Sequence, residues 1–377
     1  MEILKKQELE RYSRQIIIPE VGIEGQEMLK NSSVLIIGAG GLGTPLGLYL
    51  AAAGIGKIGI VDYDTVSYSN LQRQVLYSEN DVGKSKAKIT GEKLSEINTD
   101  IEIETYDVKL SSENAMGILK EYDVIADGSD NFATKYLLND ACVLLNKPFV
   151  YGSILRFDGQ VIVFDSSKGP CYRCLFPEPP QQGEVPTCAE AGVVGVLPGI
   201  IGSIQANEVI KLLLGKGEPL IGRLLMLDAL KMKFSEVKVS KDAHCPVCGK
   251  NPSITHLIDY ENFCKHRDMK INNPNEISVK DLKIKMENGD KFELIDVREP
   301  YENLISNIGG KLIPINSIPS RINELNKEEE IIIYCRTGHR SENVVKYMRN
   351  QGFTNVKNLI GGIYAWSDEI DSSVKKY

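Results

Sequence analysis

Ser33-Val-Leu-Ile-Ile37-Gly38-Ala-Gly40-Gly41-Leu-Gly43 decides the fold of the first half of the chain. Val34 to Ile37 is a short unbroken apolar run, the pattern of a parallel strand buried on both faces, and glycines follow it at once. Gly38, Gly40 and Gly43 let the backbone turn tightly and approach a phosphate, and the small apolar stretch from Thr44 to Gly54 suits the helix whose N-terminus would receive it. A second strand, Lys57 to Val61, ends in Asp62 about twenty residues beyond the fingerprint, which completes a βαβ unit. Further apolar runs at Ile101 to Thr105, Val124 to Ala126, Phe149 to Gly152 and Val161 to Phe164 predict a doubly wound, Rossmann-like α/β sheet.

Working outward, Phe176 to Pro186 is too rich in Pro, Gly and polar residues for a regular element and predicts a mobile loop. Helical periodicity returns over Ile200 to Leu214, and the chain turns polar after Cys248, up to Asn272-Asn-Pro-Asn275. Strand-like runs at Phe292 to Val297 and Glu330 to Tyr334 then open a second, smaller α/β domain. The division expected is 1–250, a linker 251–275, and 276–377. With 377 residues, 42% hydrophobic and 25% charged, the chain has the composition of soluble globular protein and suits two domains. A formal charge of -7 without a long Lys/Arg block argues against direct nucleic-acid binding. Met1 to Glu10 lacks a signal-like apolar core, and no apolar run reaches membrane-spanning length unbroken by Gly or Pro, so a cytoplasmic location and no membrane partner are expected. The eight cysteines then read as metal ligands, nucleophiles or buried thiols before disulfides.

The usual owner of a glycine fingerprint with an acidic residue after the second strand is a nicotinamide-dependent oxidoreductase, and that alternative stands beside any other. Arg73 and Lys86 weigh against it, because a dinucleotide carries too little charge to need both, whereas a triphosphate with Mg²⁺ does. Asp127-Gly-Ser-Asp130-Asn131 lies at the carboxyl edge of a third strand; Asp130 can hold Mg²⁺ there or cap the helix beginning near Asn131. Cys171/Cys174 and Cys245/Cys248, two Cys-x-x-Cys pairs about seventy residues apart, supply four thiolates and leave no open position, the donor set of structural zinc; a redox role is the rival. Cys188, after the Pro-rich stretch and before an apolar helix, is either an activated thiol able to attack an acyl-adenylate or a packed core thiol. Cys142 and Cys264 carry no motif.

Taken together, Arg11-Tyr-Ser-Arg14-Gln, the glycine run, Asp62, Ser69-Asn70-Leu-Gln-Arg73-Gln, Gly83-Lys-Ser-Lys86, Asp130-Asn131 and Cys171-Tyr-Arg-Cys174 resemble the ubiquitin-activating-enzyme superfamily from about residue 8 to about 250. The branch it looks like is that of the molybdopterin-synthase and thiamine sulfur-carrier adenylyltransferases. The resemblance implies that Gly41, Asp62, Ser69, Asn70, Arg73, Lys86, Asp130 and Asn131 meet ATP or Mg²⁺, and that Arg14 reaches the neighbouring subunit's phosphates in a homodimer. The substrate it implies is a ubiquitin-like sulfur-carrier protein ending in Gly-Gly.

Near the C-terminus a strand delivers Cys335 into Arg336-Thr337-Gly338-His339-Arg340-Ser341, with a helix expected over Glu342 to Asn350. Loop amides and a helix N-terminus can stabilise a thiolate and then a persulfide. A phosphatase loop needs one more residue between Cys and Arg than the four separating Cys335 from Arg340. With Asp296-Val-Arg298-Glu299 upstream and Gly361-Gly362-Ile-Tyr-Ala-Trp366 downstream, the stretch from about 275 to 370 resembles a single rhodanese domain, departing from it at Ser306-Asn-Ile-Gly309. That resemblance implies that Cys335 carries sulfane sulfur and that Arg336 and Arg340 help receive an anionic donor or acceptor. A cysteine desulfurase persulfide or thiosulfate would be the donor. The expected activity is therefore adenylation of the carrier's C-terminal carboxylate followed by sulfur transfer to a thiocarboxylate. A non-enzymatic redox or zinc sensor is a third reading.

Overall fold

The structure is a computed structural model that describes residues 3–180, 191–265 and 274–377, and these residues form two compact units, the first ending at 265 and the second beginning at 274. In the first unit Ser33–Ile37 (β1), Lys57–Val61 (β2), Glu102–Tyr106 (β3), Val124–Asp127 (β4) and Phe149–Leu155 (β5) are parallel. Asp158–Phe164 (β6), Arg223–Asp228 (β7) and Lys233–Lys238 (β8) extend the sheet antiparallel, in the order β3-β2-β1-β4-β5-β6-β7-β8. The doubly wound half is as expected; the other half is antiparallel, with tight turns at Arg156 and Met232, both with positive φ, returning β5 into β6 and β7 into β8, while the stretch that holds helix Leu197–Leu214 separates β6 from β7.

The two periodicities written into β1 explain the two cores. Val34 and Ile36 point into one apolar layer with Leu46, Leu50 and Ile201, while Leu35 and Ile37 point into the other with Tyr122, Leu138 and Phe149. The helix Gly43–Ala53 leaves the glycine loop into the first layer, and its second neighbour is the long helix Leu197–Leu214. That helix is the only one among the described residues long and apolar enough to cross a membrane, and half of it is buried in this fold. Gly202 lets it lie against Pro45 and the Leu42 carbonyl, where a Cβ would come within 2.7 Å of both. Gln205 donates from it to the Asp127 and Val150 carbonyls.

Residues 251–265, expected as the start of a linker, belong to the first unit. Helix Tyr260–Lys265 packs on helix Phe132–Leu145: Tyr260 Oη donates to Asp140 at 2.8 Å and the Phe263 ring meets Tyr136 edge-on. Leu257, Ile258, Tyr260 and Phe263 are scattered among polar residues, so composition alone hides their burial.

The second unit holds a five-stranded parallel sheet of Glu276–Ile277 (β9), Glu293–Asp296 (β10), Lys311–Leu312 (β11), Ile331–Tyr334 (β12) and Val356–Leu359 (β13), ordered β11-β10-β12-β13-β9. β12 is its centre, and Cys335 is the first residue beyond it. Ile331 and Ile333 face one layer, Ile332 and Tyr334 the other with Trp366.

Candidate functional site

At the carboxyl ends of β1 and β4 the strand order reverses, which opens the crevice where ligands bind in such sheets. Gly38 turns the chain there at φ +90, its amide bonded to the Val61 carbonyl, and Gly128 closes the other side with its amide on the Ile37 carbonyl. Gly43 starts the helix so close to the turn that a Cβ would fall 1.9 Å from the Gly38 oxygen, so this position admits no side chain. The N-terminus of helix Gly43–Ala53 faces this crevice with its partial positive charge, although Thr44 N is already bonded to the Gly40 carbonyl and Pro45 has no amide hydrogen.

Around that loop the structure assembles most of the residues expected from sequence. Asp62 accepts from the Ala39 amide at 2.7 Å and the Asp64 amide at 2.8 Å. Burial raises its carboxyl above the usual range, against the pull of Lys86 and those two amides. Lys86, almost buried, pairs with Asp64 at 3.0 Å. Asn70 is buried and accepts from the Ser67 amide, Ser69 Oγ lies 3.0 Å from Ser67 Oγ, and Arg73 donates to the Ser69 carbonyl, its stem beside Gly41. Asp130 stands exposed at the edge of β4. Asn131, and not Asp130, caps helix Phe132–Leu145, accepting from Thr134 N at 2.9 Å. Its side-chain oxygen is thereby committed to the helix.

Arg14 is not brought to this crevice. It sits on the short helix Ser13–Ile16, whose Gln15 donates to the Ala53 carbonyl at the far end of the fingerprint helix. An eleven-residue helix is about 16 Å long, so Arg14 lies remote from its own chain's glycine loop.

Sequence reasoning missed the groups that hold the crevice in shape. Lys135 is buried one turn into helix Phe132–Leu145, with Nζ 2.6 Å from Asp127 and bonded to the Ser129 and Gly152 carbonyls. Burial alone would lower its pKa; the Asp127 carboxylate outweighs that and raises it. Tyr77, bonded to the Ala39 carbonyl and Thr90, ties the glycine loop to helix Lys86–Ile97. No local pattern signals the Lys135 pair, because Asp127 ends strand β4 while Lys135 lies on the helix that follows.

The four cysteines of the two Cys-x-x-Cys pairs meet. Their Sγ atoms all lie within 4.8 Å of one another, with Cys171 3.5 Å from Cys245 and Cys174 3.4 Å from Cys248. A tetrahedral zinc with bonds of about 2.3 Å demands sulfur separations of roughly 3.8 Å, so the donor set and its size fit that ion. Cys245 opens a tight turn in which Gly249 N returns to its carbonyl. Asp242 N donates to Cys174 Sγ at 3.4 Å, and His244 stands outside the cluster. Arg173, between the first two ligands, forms a buried bidentate pair with Asp140 at 2.8 Å and lies over the Tyr136 and Phe263 rings. That pair fixes the first knuckle to the fold. Cys142 is a buried core thiol, and burial pushes the Cys264 thiol up to about 11. Cys188 and the Pro-rich stretch before it lie largely outside the described residues.

In the second unit the loop after β12 is shorter than expected, because the helix begins at His339 and runs to Asn350. Cys335 is 1% exposed; Gly338 N donates to its Sγ at 3.2 Å and Ser341 Oγ at 3.4 Å. Gly338, at φ +92, makes the turn that aims that amide at sulfur. The downstream Gly361-Gly362 pair has its reason here too: a Cβ on Gly362 would fall 2.3 Å from the Cys335 carbonyl, which instead accepts from Ile363 N. Arg340 is bound to Glu302 by two bonds of 2.6 Å, and Arg298 is buried on Asp296. Arg336 is 8% exposed and lies against Tyr364 and Tyr377.

Burial would raise the Glu302 pKa, but Arg340, the Glu299 amide and the Tyr377 hydroxyl outweigh it and hold it at about 2. A depressed carboxyl contributes stability that is complete above its unfolded value near 4.5 and is lost as pH falls toward 2. The loss expected for the second unit over that window is about 3 kcal/mol. Trp366 is the chain's single tryptophan, so denaturant titrations of the full chain followed by its emission read this unit. Glu302→Gln should flatten the profile; a slope equal to wild type would remove Glu302 as its source.

Residues 12–247 match the ThiF family and residues 278–369 the rhodanese-like domain. The chain is 44% identical to the probable adenylyltransferase/sulfurtransferase MoeZ of Mycobacterium tuberculosis, over 99% of this chain and 96% of that one. It is 54% identical to the sulfur carrier protein adenylyltransferase of Thermus thermophilus, over 69% of this chain and 97% of that one. Among solved structures, that of Escherichia coli MccB with ATP aligns at a TM-score of 0.57 and 25% identity, covering 63% of this chain and 73% of that one.

Proposed function

The chain belongs to the ThiF family, carries a rhodanese-like domain, and is an enzyme of the adenylyltransferase and sulfurtransferase type; from that premise we propose that it activates a ubiquitin-like sulfur carrier and sulfurates it. Nothing in the family match or the relatives supports a nicotinamide-dependent oxidoreductase. The observation that carries the proposal is that Arg73 lies beside Gly41 and Lys86 pairs with Asp64 next to Asp62, which holds the Ala39 amide of the glycine loop; with Asp130, two residues beyond the Gly128 that packs on Gly38, they would make a charge set suited to a triphosphate with Mg²⁺.

The first step needs positioning and charge, not a general base. The C-terminal Gly-Gly carboxylate of the carrier, ionised at neutral pH, attacks the α-phosphorus of ATP, and the bond to pyrophosphate breaks. Glycine-loop amides, Arg73 and Lys86 take up the charge that develops on the leaving pyrophosphate. Asp130 would hold Mg²⁺, which would supply neutralising positive charge for the triphosphate. Lys86 would exchange its Asp64 partner for phosphate, which agrees with Asp64 being half exposed. Arg14, remote from its own site, suits the crevice of a second subunit in a homodimer. Zinc held by Cys171, Cys174, Cys245 and Cys248 would have a structural role.

The second step uses Cys335. Its persulfide forms at the expense of a desulfurase persulfide or thiosulfate, the Gly338 amide and Ser341 hydroxyl stabilising the sulfur anion. The terminal sulfur attacks the acyl carbonyl and AMP leaves. A thiolate, Cys188 or an exogenous thiol, then attacks the Cys335 sulfur and releases the carrier thiocarboxylate.

Arg73→Ala and Asp130→Ala are each expected to lower carrier-dependent ATP–pyrophosphate exchange on the order of a hundredfold, the usual cost of removing one contact to developing charge. Metal content and folding should be unchanged. Exchange near wild type in either variant would refute the triphosphate assignment.

A further inference from the structure

The two cations flanking Cys335 are both engaged by other residues of the unit. Arg340 is held by Glu302, which is almost fully buried, and Arg336 is itself more than nine-tenths buried. One residue touches both arrangements. Tyr377 accepts from Arg336 through its main-chain oxygen at 3.4 Å, and its ring lies 5.5 Å from the guanidinium. Its hydroxyl accepts from Arg298 at 2.8 Å and lies 3.1 Å from Glu302, the partner of Arg340. The segment is fastened from both sides: Tyr364 bonds to the Tyr377 carbonyl and receives its amide, and Ser306 donates to the Lys375 carbonyl at 2.9 Å. Against this clasp, Arg336 keeps a buried Nε with no hydrogen-bond partner. A buried guanidinium donor without an acceptor is costly, and on the residue that follows the sulfur nucleophile in the chain it is a donor available to an anion.

We propose that Tyr377 is a specificity-determining residue of the persulfide site: its ring covers Arg336, so that this cation is withheld from small dianionic sulfur donors. The proposal rests on Cys335 being the persulfide carrier. In the step concerned, the Cys335 thiolate attacks the sulfane sulfur of thiosulfate, a new S–S bond forms, and sulfite leaves with the electron pair of the old one. Thiosulfate brings two negative charges and needs a free guanidinium; a simple alkyl persulfide brings one and depends on it less.

The test compares the two donors on the full chain, reading sulfite release and the gain of one sulfur on Cys335 by mass. In Tyr377→Ala the KM for thiosulfate should fall on the order of tenfold, the worth of one charge-assisted hydrogen bond, and become sensitive to salt, with kcat little changed. The alkyl persulfide should react as with wild type. Tyr377→Phe keeps the ring and main-chain contacts on Arg336 and should keep the wild-type KM. Adding Arg336→Ala to Tyr377→Ala should abolish the gain. A thiosulfate KM that is unchanged or raised in Tyr377→Ala, or an equal loss of kcat with both donors, overturns the proposal and leaves Tyr377 a packing residue. Absence of any sulfur gain on wild-type Cys335 with both donors is a different result, and it would bring down the persulfide reading as well.

Discussion

Cys171→Ser is expected to release the metal and unfold much of the first unit. Cys171 is fully buried, its sulfur within 3.9 Å of Cys174 and 3.5 Å of Cys245, so serine leaves a three-thiolate set with no closed shell. Structural zinc contributes roughly 10–16 kcal/mol in small sites, comparable to or above the roughly 5–15 kcal/mol net stability of a whole domain. The loss should spread, because Arg173 carries the knuckle's order to Asp140, and Asp140 also holds Tyr260. Helix Tyr260–Lys265 would therefore loosen with the site. Metal analysis should give one zinc per wild-type chain and none in the variant, with a fall in Tm; the Trp366 environment in the second unit should be unaffected. A metal-free wild-type protein of full stability would dispose of the zinc assignment.

What could be read from the sequence was whatever is local. The run Val34 to Ile37 is buried on both faces, so it is apolar throughout, and Gly38 and Gly43 can have no side chains where the chain doubles back. Both facts are written in adjacent residues. Strand β8 was invisible because all six of its residues are exposed and it is ordered only by pairing with β7. The helix at Tyr260 was hidden for a related reason: its acceptor, Asp140, lies 120 residues away. In the sites, the ligands were legible by type and spacing, while the residues that hold them were not. Lys135 on Asp127, Arg173 on Asp140 and Arg340 on Glu302 are buried ion pairs whose partners are named only by the fold. Arg336 and Arg340 show the cost of stopping at the motif: their charge suggested an open anion site, and the structure turns one onto Tyr377 and the other onto Glu302.

Cys335→Ala should stop sulfur transfer completely while leaving carrier-dependent ATP–pyrophosphate exchange at the wild-type rate. The two reactions have no residue in common: the glycine loop and its cations lie in the first unit, and Cys335, the Gly338 amide and Ser341 lie in the second. Alanine removes the only sulfur in that loop and leaves its frame, since the Ile363 and Tyr364 amides bond to main-chain carbonyls of residues 335 and 336. Loss should thus be chemical, not structural, and Trp366 emission should be unchanged. Cys188→Ala divides the second step. If a covalent bond from Cys188 to the carrier, or its attack on Cys335 sulfur, is obligatory, adenylate accumulates without thiocarboxylate; if an exogenous thiol serves, the yield survives. Intact mass of the carrier, with thiosulfate limiting, reads every case as the exchange of one oxygen for sulfur. Full thiocarboxylate yield from the Cys335 variant under those conditions would mean that sulfur reaches the adenylate by a route that bypasses the second unit.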